Sequence, residues 1–313
     1  MTKYVTKRIL IAIVTLILVS IITFVLFSIL PGDVGRNVLG LNASQKEVDA
    51  YNERIGLNKP VLIRYFDWML NLFKGNLGES YQYNATVVQL IGQKFPATLF
   101  LALMSFLLIV LVSIPLAIFS AKHEKSFIDN FFMVKGQVLM SIPNFFLAIL
   151  LSWIFGILLK LFIPGAYVDY NRNFGKFLVY LIFPAIAVSL PRIGMAAKFL
   201  RTSIIEQKRK DYVRTAKGIG LSEREIMFGH VLKNAFLPFI TFMGIILSEI
   251  VAGSVIIEQI FQIPGIGRLL LDAINYKDIL LVQGLVMFIA FMVITISFIV
   301  DIVYSVLDPR VKV

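Results

Sequence analysis

The chain has 313 residues, 58% of them hydrophobic and only 16% charged, with a mean hydropathy of +0.84. Soluble domains average roughly 45–50% apolar and 25% charged, so a water-soluble fold is excluded. There is no cysteine and there are two histidines, His123 and His230, which removes disulfides, thiolate chemistry and histidine metal clusters from consideration. The formal charge of +11 would suggest nucleic acid in a soluble protein; here it indicates cytoplasmic loops held near anionic lipid.

Apolar residues fall in blocks of about twenty, the length that crosses roughly 30 Å of hydrocarbon at 1.5 Å per residue. Lys3, Lys7 and Arg8 precede the run Ile9 to Leu30. That run is longer than a signal-peptide core of about 7–15 residues, and no small-residue cleavage site follows it. It is expected to be an uncleaved first span with its amino end in the cytoplasm. Residues 31–96 then form an outer segment with its own order. Ser44-Gln-Lys-Glu47 is a capping box that starts a helix running to Gly56. Pro60 opens a second helix with Tyr65, Trp68, Met69, Leu72 and Phe73 on one face, stopped by Gly75. This apolar face either packs on its own domain or the bilayer surface, or caps the path and touches an external partner.

Further spans are predicted over Ala97 to Ser120, Ser141 to Ile163, Phe177 to Leu200, Ala235 to Ile257 and Ile279 to Leu307. The stretch 131–163 is too long for one straight span and contains Lys135 and Pro143, so a half-buried helix to Met140 and a break before Pro143 are expected. Six spans starting inside place 121–135 and 191–234 in the cytoplasm. The segment 192–234 holds ten basic residues against four acidic ones, which agrees with positive-inside orientation. The expected fold is an all-α polytopic bundle of six transmembrane helices. Its parts are an amino-terminal helix 1–30, an external helical subdomain 31–96, a five-helix core 97–307 and a cytoplasmic tail 308–313.

The polar stretch 201–234 is too charged to insert. Ser203 to Lys217 contains no Gly or Pro and reads as a helix continuing beyond the fourth span. Gly218-Ile219-Gly220 lets the chain turn, and Ser222-Glu-Arg-Glu225 is a second capping box. Such an elbow presents Ala216, Gly218 and Gly220 beside Arg214 and Lys217 to a groove on another protein. On pattern alone, a basic loop near anionic lipid is the competing reading.

A resemblance bears on that choice. Asp211-Tyr-Val-Arg-Thr-Ala-Lys-Gly-Ile-Gly-Leu-Ser222, followed by His230-Val-Leu-Lys-Asn-Ala235, resembles the EAA loop of ABC importer permeases in its dipeptide and oligopeptide branch. Leu30-Pro-Gly-Asp33, Arg54-Ile-Gly-Leu57, Lys74-Gly-Asn-Leu-Gly78, Phe95-Pro-Ala-Thr98, Phe261-Gln-Ile-Pro-Gly-Ile-Gly-Arg268, Asp301-Ile-Val-Tyr304 and Leu307-Asp-Pro-Arg310 extend the likeness along most of the chain. Arg214-Thr215 replaces the literal Glu-Ala, while His230 and Lys233 follow the peptide branch. The resemblance implies a type I importer fold and a coupling role toward the ATPase for Arg214, Thr215, Ala216, Lys217, Gly218, Gly220, Leu221 and Ser222. It also implies a homologous second permease, two ABC ATPase subunits that bind ATP and magnesium, an extracellular solute-binding protein and a peptide-like substrate. The setting would be the bacterial cytoplasmic membrane, with both termini cytoplasmic. Relatives on this architecture also carry nickel, metal chelates or other small solutes.

Charged residues inside spans are candidate functional sites. Glu249 either lines the path and meets a substrate amino group, or hydrogen-bonds a neighbouring helix. Asp301, near Tyr304 and Arg310, reads as a structural cap or ion pair, and Arg192 and Lys198 are expected to snorkel to the cytoplasmic surface. No Walker A pattern, nucleophile elbow or zincin motif occurs, so the chain is expected to be neither the ATPase nor another enzyme, and to bind no cofactor, metal or nucleic acid itself. A secondary transporter would need inverted repeats and a midplane ion site, and an intramembrane enzyme would need converging polar side chains; the sequence supplies neither.

Overall fold

The computed structural model describes residues 2–29, 35–36, 43–54 and 58–307. Helix α1 (Thr2–Ile29) is apolar all round, as a lipid-exposed helix must be. The expected capping box is present, with Ser44 and Glu47 bonded reciprocally at the start of α2 (Gln45–Arg54). Gly56, where that helix was expected to end, lies outside the described residues, as do Leu30-Pro-Gly-Asp33 and the tail from 308. Helix α3 (Val61–Phe73) follows Pro60. It packs on α1, where Tyr65 Oη meets Ser20 Oγ at 2.8 Å and Phe24 contacts both Tyr65 and Trp68. Its apolar face is therefore used within the chain.

A short hairpin, β1 (Glu79–Ser80) and β2 (Ala85–Thr86), leads into α4 (Val87–Lys122). This span starts ten residues before the expected Ala97, because Thr86 and Gln89 form a capping box and the helix runs through both Pro96 and Pro115. A proline removes one backbone bond, and in a packed bundle the neighbours accommodate the loss. The same applies to α7 (Phe174–Lys208), N-capped by Asn173, which runs through Pro184 and Pro191.

Between them the break at Pro143 is found. Helix α5 (Phe127–Ser141) and α6 (Asn144–Leu151, continued by a π-helical stretch Ser152–Leu158) meet at 96°. Ile142, before the proline, is held extended. Among the described residues five helices are long and apolar enough to span a bilayer, and six if the two arms of the bent pair count as one span.

After α7 come α8 (Asp211–Gly218) and α9 (Glu223–Gly253, π-helical at Ile226–Val231). Ser254 then separates off α10 (Val255–Ile260), so the fifth span ends before the expected Ile257. Helices α11 (Ile266–Asn275) and α12 (Ile279–Leu307) complete the chain.

Helices α4 and α7 make the most extensive pairing, with α9, α5 and α6 also on α7, while α1 and α9 flank α12. Helix α7 is the most buried of the spans. Two close approaches fix its surroundings: Gly194 lies against Gly136 of α5, and Gly244 of α9 against Val300 of α12. At the far end from α8, the wholly buried Glu258 ties α10 to α4 and α11. Its carboxylate accepts from Thr98 Oγ1 at 2.7 Å, Ser254 Oγ at 3.0 Å and the Arg268 N–H at 2.9 Å. Three helices therefore meet there, and α7 runs from the bundle toward the elbow.

Candidate functional site

The elbow is built from local signals at each step. Helix α7 has 35 residues and so is ~52 Å long, well beyond the roughly 30 Å of hydrocarbon. It ends at Lys208, with Lys210 extended at φ −79° and ψ 152° before Asp211 opens α8. The expected uninterrupted helix 203–217 is thus corrected to two helices. The sequence carries no breaker there, but three successive cations, Lys208, Arg209 and Lys210, suit a helix C-terminus, and Asp211 suits a helix N-terminus. Helix α8 closes in a Schellman motif: the Gly220 N–H donates to Lys217 O at 3.1 Å and the Leu221 N–H to Ala216 O at 3.2 Å. Gly220 holds φ +87°, which glycine adopts freely. Ser222 and Glu225 then cap α9 reciprocally. The hydrogen bonds from the Ser222 hydroxyl and backbone N–H hold the Glu225 carboxyl below its ordinary range.

The elbow is anchored to the bundle on several sides. Tyr212 Oη reaches Gln207 Oε1 at 3.1 Å, joining α8 to the last turn of α7. Arg209 pairs with Glu124 at 2.8 Å, and Lys208 Nζ donates to Ala121 O at 3.2 Å, both at the α4–α5 turn. Higher on α7, Arg201 grips the buried Asp129 with two guanidinium bonds of 2.6 and 2.5 Å, and Ser120 Oγ adds a third contact. A charge-assisted bidentate pair of this kind fixes orientation as well as distance.

Of the residues predicted to face a partner, Arg214, Thr215, Lys217, Gly218, Gly220 and Ser222 are exposed, and Leu221 is half-buried. Ala216 is not presented: it is turned inward with Val213, toward the π-helical stretch of α9, at 7% exposure. The face of a helix follows its 3.6-residue period, and 213 and 216 share the side that packs. Ile219, which the sequence marks only as part of the turn, stands 73% exposed at its apex between the two glycines. An apolar residue flanked by glycines in an otherwise charged loop is the signal that would have found it.

Inside the membrane-spanning region, Glu249 is exposed on α9, without a hydrogen bond or ion pair among the described residues. Asp301 is ion-paired, as one reading had it, but with Arg8 of α1 at 3.0 Å. Lys198 is exposed and donates to Gln137 Oε1 at 2.9 Å. The snorkelling expected for Arg192 is corrected: the side chain is 9% exposed, bonds Val188 O through Nη1 at 2.9 Å, and leaves Nε without a partner among the described residues. Packing of α9 across α7 covers it before it can reach the membrane surface.

Residues 113–313 match the family described as binding-protein-dependent transport system inner membrane component, and residues 1–102 match the N-terminal family of the same systems. Among relatives, a putative peptide transport system permease protein of Brucella abortus is 36% identical over 312 residues, covering 100% of this chain and 99% of its own. The oligopeptide transport system permease protein AppB of Bacillus subtilis is 32% identical, and the dipeptide transport system permease protein DppB of Alkalihalophilus pseudofirmus 31%, each covering 100% of both chains.

Proposed function

The chain belongs to the family of binding-protein-dependent transport system inner membrane components, and on that premise we propose that it is the permease subunit of an ATP-driven peptide importer. A homologous second permease completes the pathway, two ATPase subunits dock on the elbow side, and an extracellular binding protein delivers the peptide. The elbow and both termini face the cytoplasm, on the side favoured by the ten basic residues of 192–234.

The observation that carries this reading is the elbow itself: an eight-residue helix, closed at its C-terminal end by the Schellman turn and carried at the end of α7, with Arg214, Thr215, Lys217, Gly218 and Ile219 outward. Ile219 offers an apolar knob, Gly218 and Gly220 let a partner's surface come close, and the flanking cations orient the encounter. Movement of α8 is passed to α7 through Tyr212–Gln207, and to the α4–α5 turn through Arg209–Glu124 and Lys208. Arg201–Asp129 makes α5 move with α7. Closure of the ATPase pair would thereby tilt the three helices α4, α5 and α7 together and switch the path between its two exposures.

Ile219→Asp tests the coupling role without touching the bundle, because that side chain is free of its own chain. We expect co-purification of the ATPase subunits and peptide uptake to fall by more than about tenfold, since docking would bury an unpaired carboxylate. The amount of chain in the membrane should stay unchanged. Retention of both uptake and co-purification would show that the elbow is not the docking element.

A further inference from the structure

On α9, Ile245, Glu249, Ala252 and Gly253 are all exposed and fall at i, i+4, i+7 and i+8, one face of the helix. Glu249 is a carboxylate at bilayer depth that closes no ion pair, and contact with hydrocarbon is costly for such a group, so this face borders water. Immediately behind it lies Arg192 of α7. The guanidinium sits 3.7 Å from where a Cβ on Gly253 would be, and Gly253 lies one helical turn from Glu249 on the same face. Gly253 carries no side chain over this guanidinium, which is itself 9% exposed. Its Nε–H, buried and unpartnered among the described residues, is a donor still awaiting an acceptor.

We propose that Arg192 and Glu249 form a recognition site for a zwitterion within the path, the guanidinium taking the carboxylate of the transported peptide and Glu249 its ammonium group. This rests on the peptide-import reading above. Gly253 is one helical turn from Glu249, so the two charges stand on the order of 5–7 Å apart, comparable to the ends of two extended residues. A guanidinium presents paired N–H donors that match a carboxylate, and the neighbouring anion keeps the site from holding any simple anion too tightly. Such a site selects free peptide termini at the permease, after the binding protein has let the substrate go.

The natural absence of cysteine makes the test direct. Gly253→Cys places its Cβ at ordinary contact distance from Arg192, and the full complex carrying it is assayed in membrane vesicles. With Glu249→Gln also present, so that the opposing carboxylate is removed from the same face, the introduced thiol should react with an anionic methanethiosulfonate, the ethylsulfonate, at least about tenfold faster than with the cationic trimethylammonium reagent, after normalisation to a free thiol. That preference should vanish with Arg192→Gln and persist with Arg192→Lys. With Glu249 retained, dialanine should slow the labelling, and its C-terminal amide should not. No labelling, equal rates, a preference that survives Arg192→Gln, or protection by the amide would each overturn the site. Uptake of the same peptide by the unaltered complex is measured alongside. Its absence would overturn the import reading itself, whereas uptake without protection at position 253 would overturn only the site.

Discussion

Replacing Gly220 with alanine puts a Cβ on a residue held at φ +87°, while replacing Gly218 puts one into open space at the end of a helix. The two substitutions are two residues apart and chemically identical, yet opposite effects follow. At Gly220 the left-handed conformation costs a non-glycine residue about 1–2 kcal/mol, and the Schellman bonds Gly220 N–H to Lys217 O and Leu221 N–H to Ala216 O carry the loss. At Gly218 the same methyl adds helix propensity of roughly 0.5–1 kcal/mol. Amide hydrogen exchange of the purified complex reads both: protection at Gly220-equivalent and Leu221 amides should fall roughly 5–30-fold in Gly220→Ala and hold or rise in Gly218→Ala. Because nothing among the described residues beyond its own helix backbone and chain neighbours lies within 4 Å of a Cβ at Gly218, a loss of uptake in Gly218→Ala would point to a docked partner. Unchanged protection in Gly220→Ala together with lost protection in Gly218→Ala would refute the assignment of the turn.

Arg201→Ala strands the buried Asp129 carboxylate and should cost about 3 kcal/mol, seen as a lower melting temperature of the detergent-solubilised complex; adding Asp129→Ala should restore part of it. Glu258→Ala removes the acceptor for the Arg268 and Gly267 N–H groups and for two hydroxyls. A loss of about 1–3 kcal/mol for each stranded backbone donor follows, with Glu258→Gln milder because its amide oxygen still accepts; equal melting temperatures for the two variants would contradict this. Gly244→Ala drives a Cβ to 2.4 Å from a Val300 methyl and should destabilise by about 1–3 kcal/mol. Val300→Ala removes both methyls but leaves its Cβ at 2.8 Å, so it should relieve part of the loss in the same melting assay.

Signals that act within one turn were readable in the sequence. The boxes Ser44–Glu47 and Ser222–Glu225 join residues three apart, so their bonds form wherever the backbone starts a helix there. Pro143 broke the third span by its own ring and by holding Ile142 extended, and Gly220 marked the turn that needs a positive φ. The apolar blocks fixed the membrane class and the number of spans to within the bent pair, because hydrocarbon thickness sets a length that composition either meets or does not. The run of motifs from Lys74 to Tyr304 pointed to the family that the full-length relatives show.

What tertiary structure alone decided are the outcomes that depend on residues distant in the chain. Pro96 looked like a boundary and proved to be helix interior, since packing between α4 and α7 outweighs its missing backbone bond. Asp301 chose Arg8, nearly the whole chain away, and Asp129 chose Arg201. Arg192 was drawn inward and Ala216 turned inward because a neighbouring helix covers each, while Ile219 was left outside with nothing to cover it. A sequence specifies what each residue can do within its own turn; which surface it meets is set only when helices far apart in the chain compete to bury the same area.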